Sequence, residues 1–247
     1  FMNGRLLCVT TTAMLGLLAG TSHADLRSFT HTYEPNTMPA GATAIELWHT
    51  QSQATWKADT TQAFEQKIEV EHGITDCWDM AFYTTLRQNT EAGSPGALSF
   101  HAASVETRVR LAPHGAWPVD VVMYGELGKD FGASVYEAEG KVLLGREFGN
   151  VITALNLIGA VEFGKNVPEA EIELGYALGA SYQFSPKVRA GGELFGEVEI
   201  EAGELGLSAG PSLSLAPSDK FWVTATAGFG ISEADAFSAR ILMGLEL

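Results

Sequence analysis

Strict alternation runs through residues 171–184, EIELGYALGASYQF, and it constrains the fold more than any other feature of the chain. One set of positions is apolar and the other is charged, polar or small. A period of two places successive side chains on opposite faces of a β-strand. The run is longer than an ordinary soluble strand of about 5–6 residues. It therefore predicts a long strand with one apolar and one polar face.

Segments of this kind recur to the end of the chain. About twelve are predicted, near 42–52, 61–72, 77–88, 99–111, 119–128, 134–148, 151–163, 170–184, 188–200, 205–216, 221–231 and 237–247. Short links rich in Gly, Pro, Asn and Asp alternate with generally longer ones, as in a chain that turns tightly at one end of a sheet. The pattern predicts an all-β fold, a closed antiparallel up-and-down transmembrane β-barrel of about 12 strands, with both termini on the short-turn, periplasmic side.

The apolar faces indicate what surrounds the barrel. A soluble barrel this regular would expose a continuous band of leucine, which water does not favour. Lipid accepts such a band, and closure leaves no unpaired strand edge. Five aromatic residues near short turns are predicted to form a girdle at one membrane interface: Trp78, Trp117, Phe148, Phe184 and Phe221. The alternative is that these rings cap the corners of a soluble β-core.

The first residues predict export. Arg5, the apolar stretch from Leu6 to Ala19 and the small residues of Ser22-His23-Ala24 have the order of a secretory signal peptide cut after Ala24. The predicted layout is a signal peptide at 1–24, an N-terminal periplasmic or plug segment at 25–41 and a transmembrane barrel at 42–247. Cys77 is then the one cysteine left after cleavage, so no internal disulfide is expected. The predicted location is the bacterial outer membrane.

The polar faces predict the lining of a lumen. One wall is charged, and its predicted members are Glu65, Lys67, Glu69, Glu71, Glu106, Arg108, Arg110, Glu126, Glu171, Glu173, Arg189, Glu193 and Glu197. The opposite wall, at 206–214 and 224–230, holds Gly, Ser and Thr. Either the charged side chains fill the lumen with ion pairs, or they line a narrow, mostly acidic passage for small polar or cationic solutes. Twelve strands lie between a filled eight-stranded barrel and an open sixteen-stranded one.

The sequence gives less support to other functions. The formal net charge of −15 and the lack of a basic stretch argue against nucleic-acid binding. An outer-membrane hydrolase is less favoured because no Ser, His and acid combine at a useful spacing, and His101 and Ser104 point to opposite faces of one strand. No cofactor is expected, and no Cys and His cluster predicts a metal site. The expected partners are outer-membrane lipid, the barrel-assembly machinery and the solute. A non-conducting structural or accessory barrel is the alternative function.

Residues 33–76 carry a family resemblance. Tyr33, the stretch Met38-Pro39-Ala40-Gly41, Glu46 with Trp48, and residues 69–76 (EVEHGITD) resemble the N-terminal part of uncharacterised Gram-negative outer-membrane proteins with the pattern P-x-G, E-x-W, E-x-E-x-G-[IV]-T-D. They are partly similar to the MetA-pathway phenol-degradation barrels. The resemblance implies an outer-membrane barrel for transport and supplies no catalytic residues. One departure is the final Leu247, where such barrels often end in Phe or Trp.

Overall fold

The computed structural model describes residues 26–57, 60–91, 94–199 and 204–247, with the backbone alone at 168–171, 199 and 204. The predicted signal peptide, 1–24, lies outside the described residues. Among the described residues, no helix is both long and apolar enough to cross a membrane.

Fourteen β-strands make up the described fold, twelve of them long. Their bounds are β1 Thr43–Gln53, β2 Gln62–Thr75, β3 Trp78–Glu91, β4 Ser94–Pro95, β5 Ser99–Arg110, β6 Asp120–Asp130, β7 Val135–Phe148, β8 Val151–Gly164, β9 Val167–Ser185, β10 Val188–Glu199, β11 Glu204–Leu205, β12 Leu207–Leu215, β13 Phe221–Ser232 and β14 Phe237–Glu246. The two-residue strands β4 and β11 pair with the last two residues of β3 and of β10, respectively.

The twelve long strands close into one antiparallel barrel. Each long strand pairs with the next along the chain, and β1 pairs with β14 from Ala44 opposite Glu246 to Gln53 opposite Phe237. Each of the twelve long strands is therefore paired on both sides, as a membrane-spanning sheet requires. The predicted fold class, an all-β closed up-and-down barrel of about 12 strands, is confirmed.

Both described chain ends lie at one end of the barrel, which we call the terminal end; the opposite end is the far end. Links at 76–77, 149–150 and 186–187 are tight turns at the terminal end. The prediction that far-end links are generally longer is only partly right, because 165–166 is also a two-residue turn. Gly164 has a φ of 147°, a conformation that other residues rarely adopt, and it lets the chain reverse there.

The alternation predicts correctly which side chains face outward. Apolar outward residues such as Phe82, Leu157 and Ile172 are exposed, Phe82 by 59%. On β9, Leu178 faces out, whereas Ala177 is buried inside. The long outer surface of the barrel is thus mostly apolar, which suits hydrocarbon, and the hydrogen-bonded pair His49 and Gln66 is a polar exception on β1 and β2.

Aromatic side chains gather at both ends of this outer surface. At the terminal end, Trp78 and Phe221 begin strands, Phe148 ends one, Phe184 lies one residue before the end of β9, and Trp117 lies in the link before β6. The far-end group was not predicted from the sequence, and it contains the ring contacts Phe100–Phe131, Tyr136–Phe163, Trp56–Phe229 and Phe229–Phe237. The signal was available, since these rings lie near the opposite ends of the same alternating segments.

Candidate functional site: the plugged lumen

Residues 26–42, which we call the N-terminal plug, lie inside the barrel. The sequence left two placements for this segment, inside the lumen or trailing in the periplasm. In the structure Leu26, Tyr33 and Met38 are buried, and Phe29 is 1% exposed. The plug has no strand or helix of its own, so its backbone groups need partners from the barrel wall.

Glu193 is the main anchor of the plug. Its carboxylate accepts hydrogen bonds from three successive backbone N–H groups, those of Thr30, His31 and Thr32, each over 2.7 Å. The Thr226 hydroxyl donates a further bond to the same carboxylate over 2.5 Å. A buried charge is tolerated only where it is well hydrogen-bonded, and here the plug supplies most of those bonds.

Other wall side chains satisfy the remaining plug backbone. The Asn156 amide accepts a bond from Tyr33 N at 2.6 Å and donates one to Tyr33 O at 2.8 Å. Met38 N donates to Asp79 Oδ2 over 2.8 Å. Arg189 Nη1 donates to Leu26 O over 2.6 Å. The polar lumen face therefore serves as a binding surface for an irregular chain segment.

Glycines in the wall make room for the plug. A Cβ added at Gly179 would lie 2.7 Å from the Phe29 ring, and one at Gly145 would lie 2.7 Å from the ring of Pro35. Such contacts are too close for any side chain at either position. Small residues on the polar face thus receive the plug at this level.

Arg108 organises the charged wall at the terminal end. Its guanidinium donates to both carboxylate oxygens of Asp79, each over 3.0 Å, and approaches Glu106 at 3.2 Å. It also contacts Glu71. The Tyr83 hydroxyl also donates a hydrogen bond to the Glu106 carboxylate. This half of the lumen is filled by ion pairs and by the plug together.

Toward the far end, the lumen opens into a vestibule of about 360 Å³. His31 and Tyr33 of the plug line its inner end. Among the described residues, five carboxylates and three basic side chains line it: Glu126, Glu137, Glu139, Glu173 and Glu197, with Lys67, Lys141 and Arg240. The Lys141 ammonium pairs with Glu139 at 2.8 Å.

Several solved outer-membrane proteins share this fold. The COG4313 outer membrane channel from Pseudomonas putida F1 superposes with a TM-score of 0.65 at 12% identity, covering 89% of this chain and 100% of that chain. The KdgM porin in complex with disordered oligogalacturonate gives 0.54 at 11% identity, with 82% and 97% covered. The NanC porin gives 0.53 at 9% identity, with 82% and 100% covered. The fold is that of a bacterial outer-membrane β-barrel.

Residues 152–236 of this barrel match a family of unknown function (DUF6662). The match runs from β8 to the link between β13 and β14. No curated protein matches the sequence. None of these matches names the MetA-pathway barrels, so that resemblance stays a prediction.

The predicted lumen residues divide by height in the barrel. Lys67, Glu126, Glu173 and Glu197 line the vestibule. Glu69, Glu71, Glu106, Arg108, Arg189 and Glu193 are held in contacts below it, with the plug or with one another. Arg110 reaches Asp76 O at the terminal end, Glu65 lies on the inward face of β2, and the side chain of Glu171 lies outside the described residues.

Four residues of the site were not predicted from the sequence: Asn156, Asp79, Arg240 and Gly179. Asn156 is the one polar residue of the stretch LNLIGAV, and its inward position was a usable signal. Arg240 donates to Thr50 Oγ1 over 2.9 Å and reaches Thr30 O at 3.4 Å. Among the described residues, no group of three or more His, Cys, Asp or Glu side chains is arranged to hold a metal ion.

Proposed function

We propose that this chain is an outer-membrane channel for small polar or cationic solutes, closed in the described form by its N-terminal plug. The observation that carries the proposal is the acidic vestibule, which ends on the plug rather than on the barrel wall. The plug is held largely by hydrogen bonds to side chains, and such contacts can be exchanged for water. The solved structures of the same fold include a channel and two porins by name, which supports passage of solutes.

The charge of the vestibule supports a preference for cations. Counted by formal charge, five carboxylates against three basic groups leave an excess of two negative charges among its described lining residues. Rings of carboxylates in a confined, water-filled path raise the local concentration of cations and repel anions. In this proposal, a narrow, mostly acidic passage opens when the plug leaves the terminal half of the lumen.

Leucine at Gly179 tests whether the plug closes a conducting path. The new side chain would occupy the place of the Phe29 ring, so we expect plug displacement and a several-fold rise in conductance in planar bilayers. Gly175→Leu is the matched control, because Gly175 lies on the same face of β9 but lines the vestibule above the plug.

In the Gly179→Leu background, changing Glu137, Glu173 and Glu197 to Gln should bring the cation-to-anion permeability ratio close to one.

One observation favours the alternative, a non-conducting accessory barrel. The ion pairs around Arg108 fill part of the terminal end independently of the plug. If Gly179→Leu releases the plug and the bilayer current stays at the baseline of empty membranes, the channel proposal fails and the accessory barrel stands.

His31 should make docking of the plug sensitive to pH. Burial lowers the pKa of His31 well below 6.5, and the positive charge of Arg240 lowers it further. The released plug binds the proton more tightly than the docked one, so docking is strongest above about pH 6.5 and weakens as the pH falls. At pH 5, this difference in the pKa of His31 raises the ratio of released to docked plug by up to about 30-fold.

The measurement uses Thr32→Cys in a Cys77→Ser background as a reporter of the plug. Thr32 is 2% exposed and its hydroxyl has no hydrogen-bond partner among the described residues, so cysteine should fit there. A charged maleimide reacts with it once the plug is released. Comparison with His31→Gln at each pH cancels the intrinsic pH dependence of the thiol. Equal rates in both proteins from pH 7.5 to pH 5 would contradict the prediction.

A further inference from the structure

The guanidinium of Arg27, at the start of the plug, occupies a built site on the barrel wall. Its Nη1 lies 2.9 Å from Glu46 Oε2, and its Cζ lies 5.0 Å from the centre of the Trp48 ring. The plug's own Tyr33 covers it at 4.5 Å. The Arg27 side chain is 13% exposed. A carboxylate beside an aromatic face is an arrangement that recognises organic cations.

The wall part of this site consists of barrel residues that contact one another. Glu46 on β1 and Glu69 on β2 are direct cross-strand partners, and both face the lumen. The Trp48 indole N–H donates to Glu46 Oε2 and to Glu69 Oε2, each over 3.1 Å, which fixes both carboxylates at the edge of the ring. Two carboxylates directly opposite each other across two strands repel when both are ionised. A cation at this position offsets that repulsion, and in the closed form Arg27 provides it.

The position of the site fits a path for solutes. Trp48 lines the 360 Å³ vestibule on one side. Arg27 and Glu46 line a separate pocket of about 30 Å³ toward the terminal end. The guanidinium therefore lies between the vestibule and the terminal-end pocket, in the interior of the lumen.

We infer that Glu46, Glu69 and Trp48 form a binding site for guanidinium-bearing organic cations, which the chain's own Arg27 fills while the barrel is closed. This inference rests on the proposed function and names its substrate class. A solute of this class competes with Arg27 for the same carboxylates, so its binding favours the released plug. The barrel is then opened by the kind of solute that it passes.

The test measures plug release with the Thr32→Cys reporter in detergent micelles. Methylguanidinium should accelerate maleimide labelling several-fold in a saturable way, while methylurea, which has nearly the same shape and no charge, should leave the rate unchanged. Glu46→Gln raises the basal rate because it weakens the Arg27 contact, and it should abolish the effect of methylguanidinium. Equal acceleration by methylurea, an undiminished effect in Glu46→Gln, or no acceleration in the parent would overturn the inference.

Arg27→Ala provides a second signature, with the opposite sign. The plug of this variant lacks its own cation, so methylguanidinium can fill the vacant place beside Glu46 without competing with the plug. Labelling should then slow or stay constant as methylguanidinium is added. Acceleration as large as in the parent would refute competition at this site. Labelling does not depend on conductance, so the two proposals can fail separately. A barrel that does not conduct after plug release would contradict the channel proposal, and the labelling result for the cation site would still hold.

Discussion

Replacing Glu193 with alanine is expected to release the N-terminal plug. The change removes the acceptor of three backbone N–H bonds and leaves those donors without a partner in the lumen. Hydrogen bonds to a charged group contribute about 1.5–3 kcal/mol each. A loss of at least about 3 kcal/mol corresponds to more than a hundredfold shift toward the released plug. Labelling of the Thr32→Cys reporter should rise accordingly.

Two further variants calibrate the result. Glu197→Ala is the matched control, because Glu197 is on the same inward face of β10 but lines the vestibule. It should leave the labelling rate near that of the parent. Asn156→Ala removes two hydrogen bonds to Tyr33 between neutral groups, so its effect should be smaller, about tenfold. Equal labelling of the Glu193→Ala and Glu197→Ala proteins would show that Glu193 does not anchor the plug.

The barrel itself could be predicted from the sequence because its signal is local and repeated. In residues 171–184, each side chain's face follows from its parity, whatever the strand packs against. Twelve such segments leave few architectures other than a closed barrel. Register and closure then follow, since a slip of one residue would turn every apolar side chain into the lumen.

The plug could not be predicted in this way. Residues 26–42 have no periodicity, and their partners are far away in the chain: Thr30 bonds Glu193 across 163 positions, and Tyr33 bonds Asn156 across 123. Parity correctly placed Glu193 on the lumen face. It could not distinguish a carboxylate that meets solutes from one that binds the chain's own backbone, because both need the same orientation.

From the sequence, a lumen filled by ion pairs and a lumen with an open passage were alternatives. In the structure, the ion pairs and the open space lie at different levels of the barrel. Arg108 and its carboxylates lie in the terminal half, whereas Glu126, Glu173 and Glu197 line the open far half. Neutralising Glu69, Glu71 or Glu193 would therefore disturb structural contacts as well as charge. A test of ion selectivity belongs with the vestibule carboxylates.

Leucine at Arg108 is expected to destabilise the barrel strongly. The substitution leaves Glu71, Asp79 and Glu106 buried close together without the cation that joins them. Removing one partner of a buried ion pair costs about 3–5 kcal/mol, and here three carboxylates lose the same partner. The free energy of unfolding in urea, followed by the gel shift of folded against unfolded barrel, should fall by at least that amount.

Arg110→Leu is the control for this loss, because Arg110 occupies the next inward position on β5. Its Nη2 bonds the backbone carbonyl of Asp76 at the exposed terminal end, and exposed contacts of this kind contribute about 1 kcal/mol or less. Adding Glu71→Gln to the Arg108→Leu protein should restore part of the lost stability, since it removes one of the uncompensated charges. If the Arg108 and Arg110 variants unfold at the same urea concentration, the carboxylates around Arg108 are hydrated or protonated, and the terminal half of the lumen is not held by ion pairs.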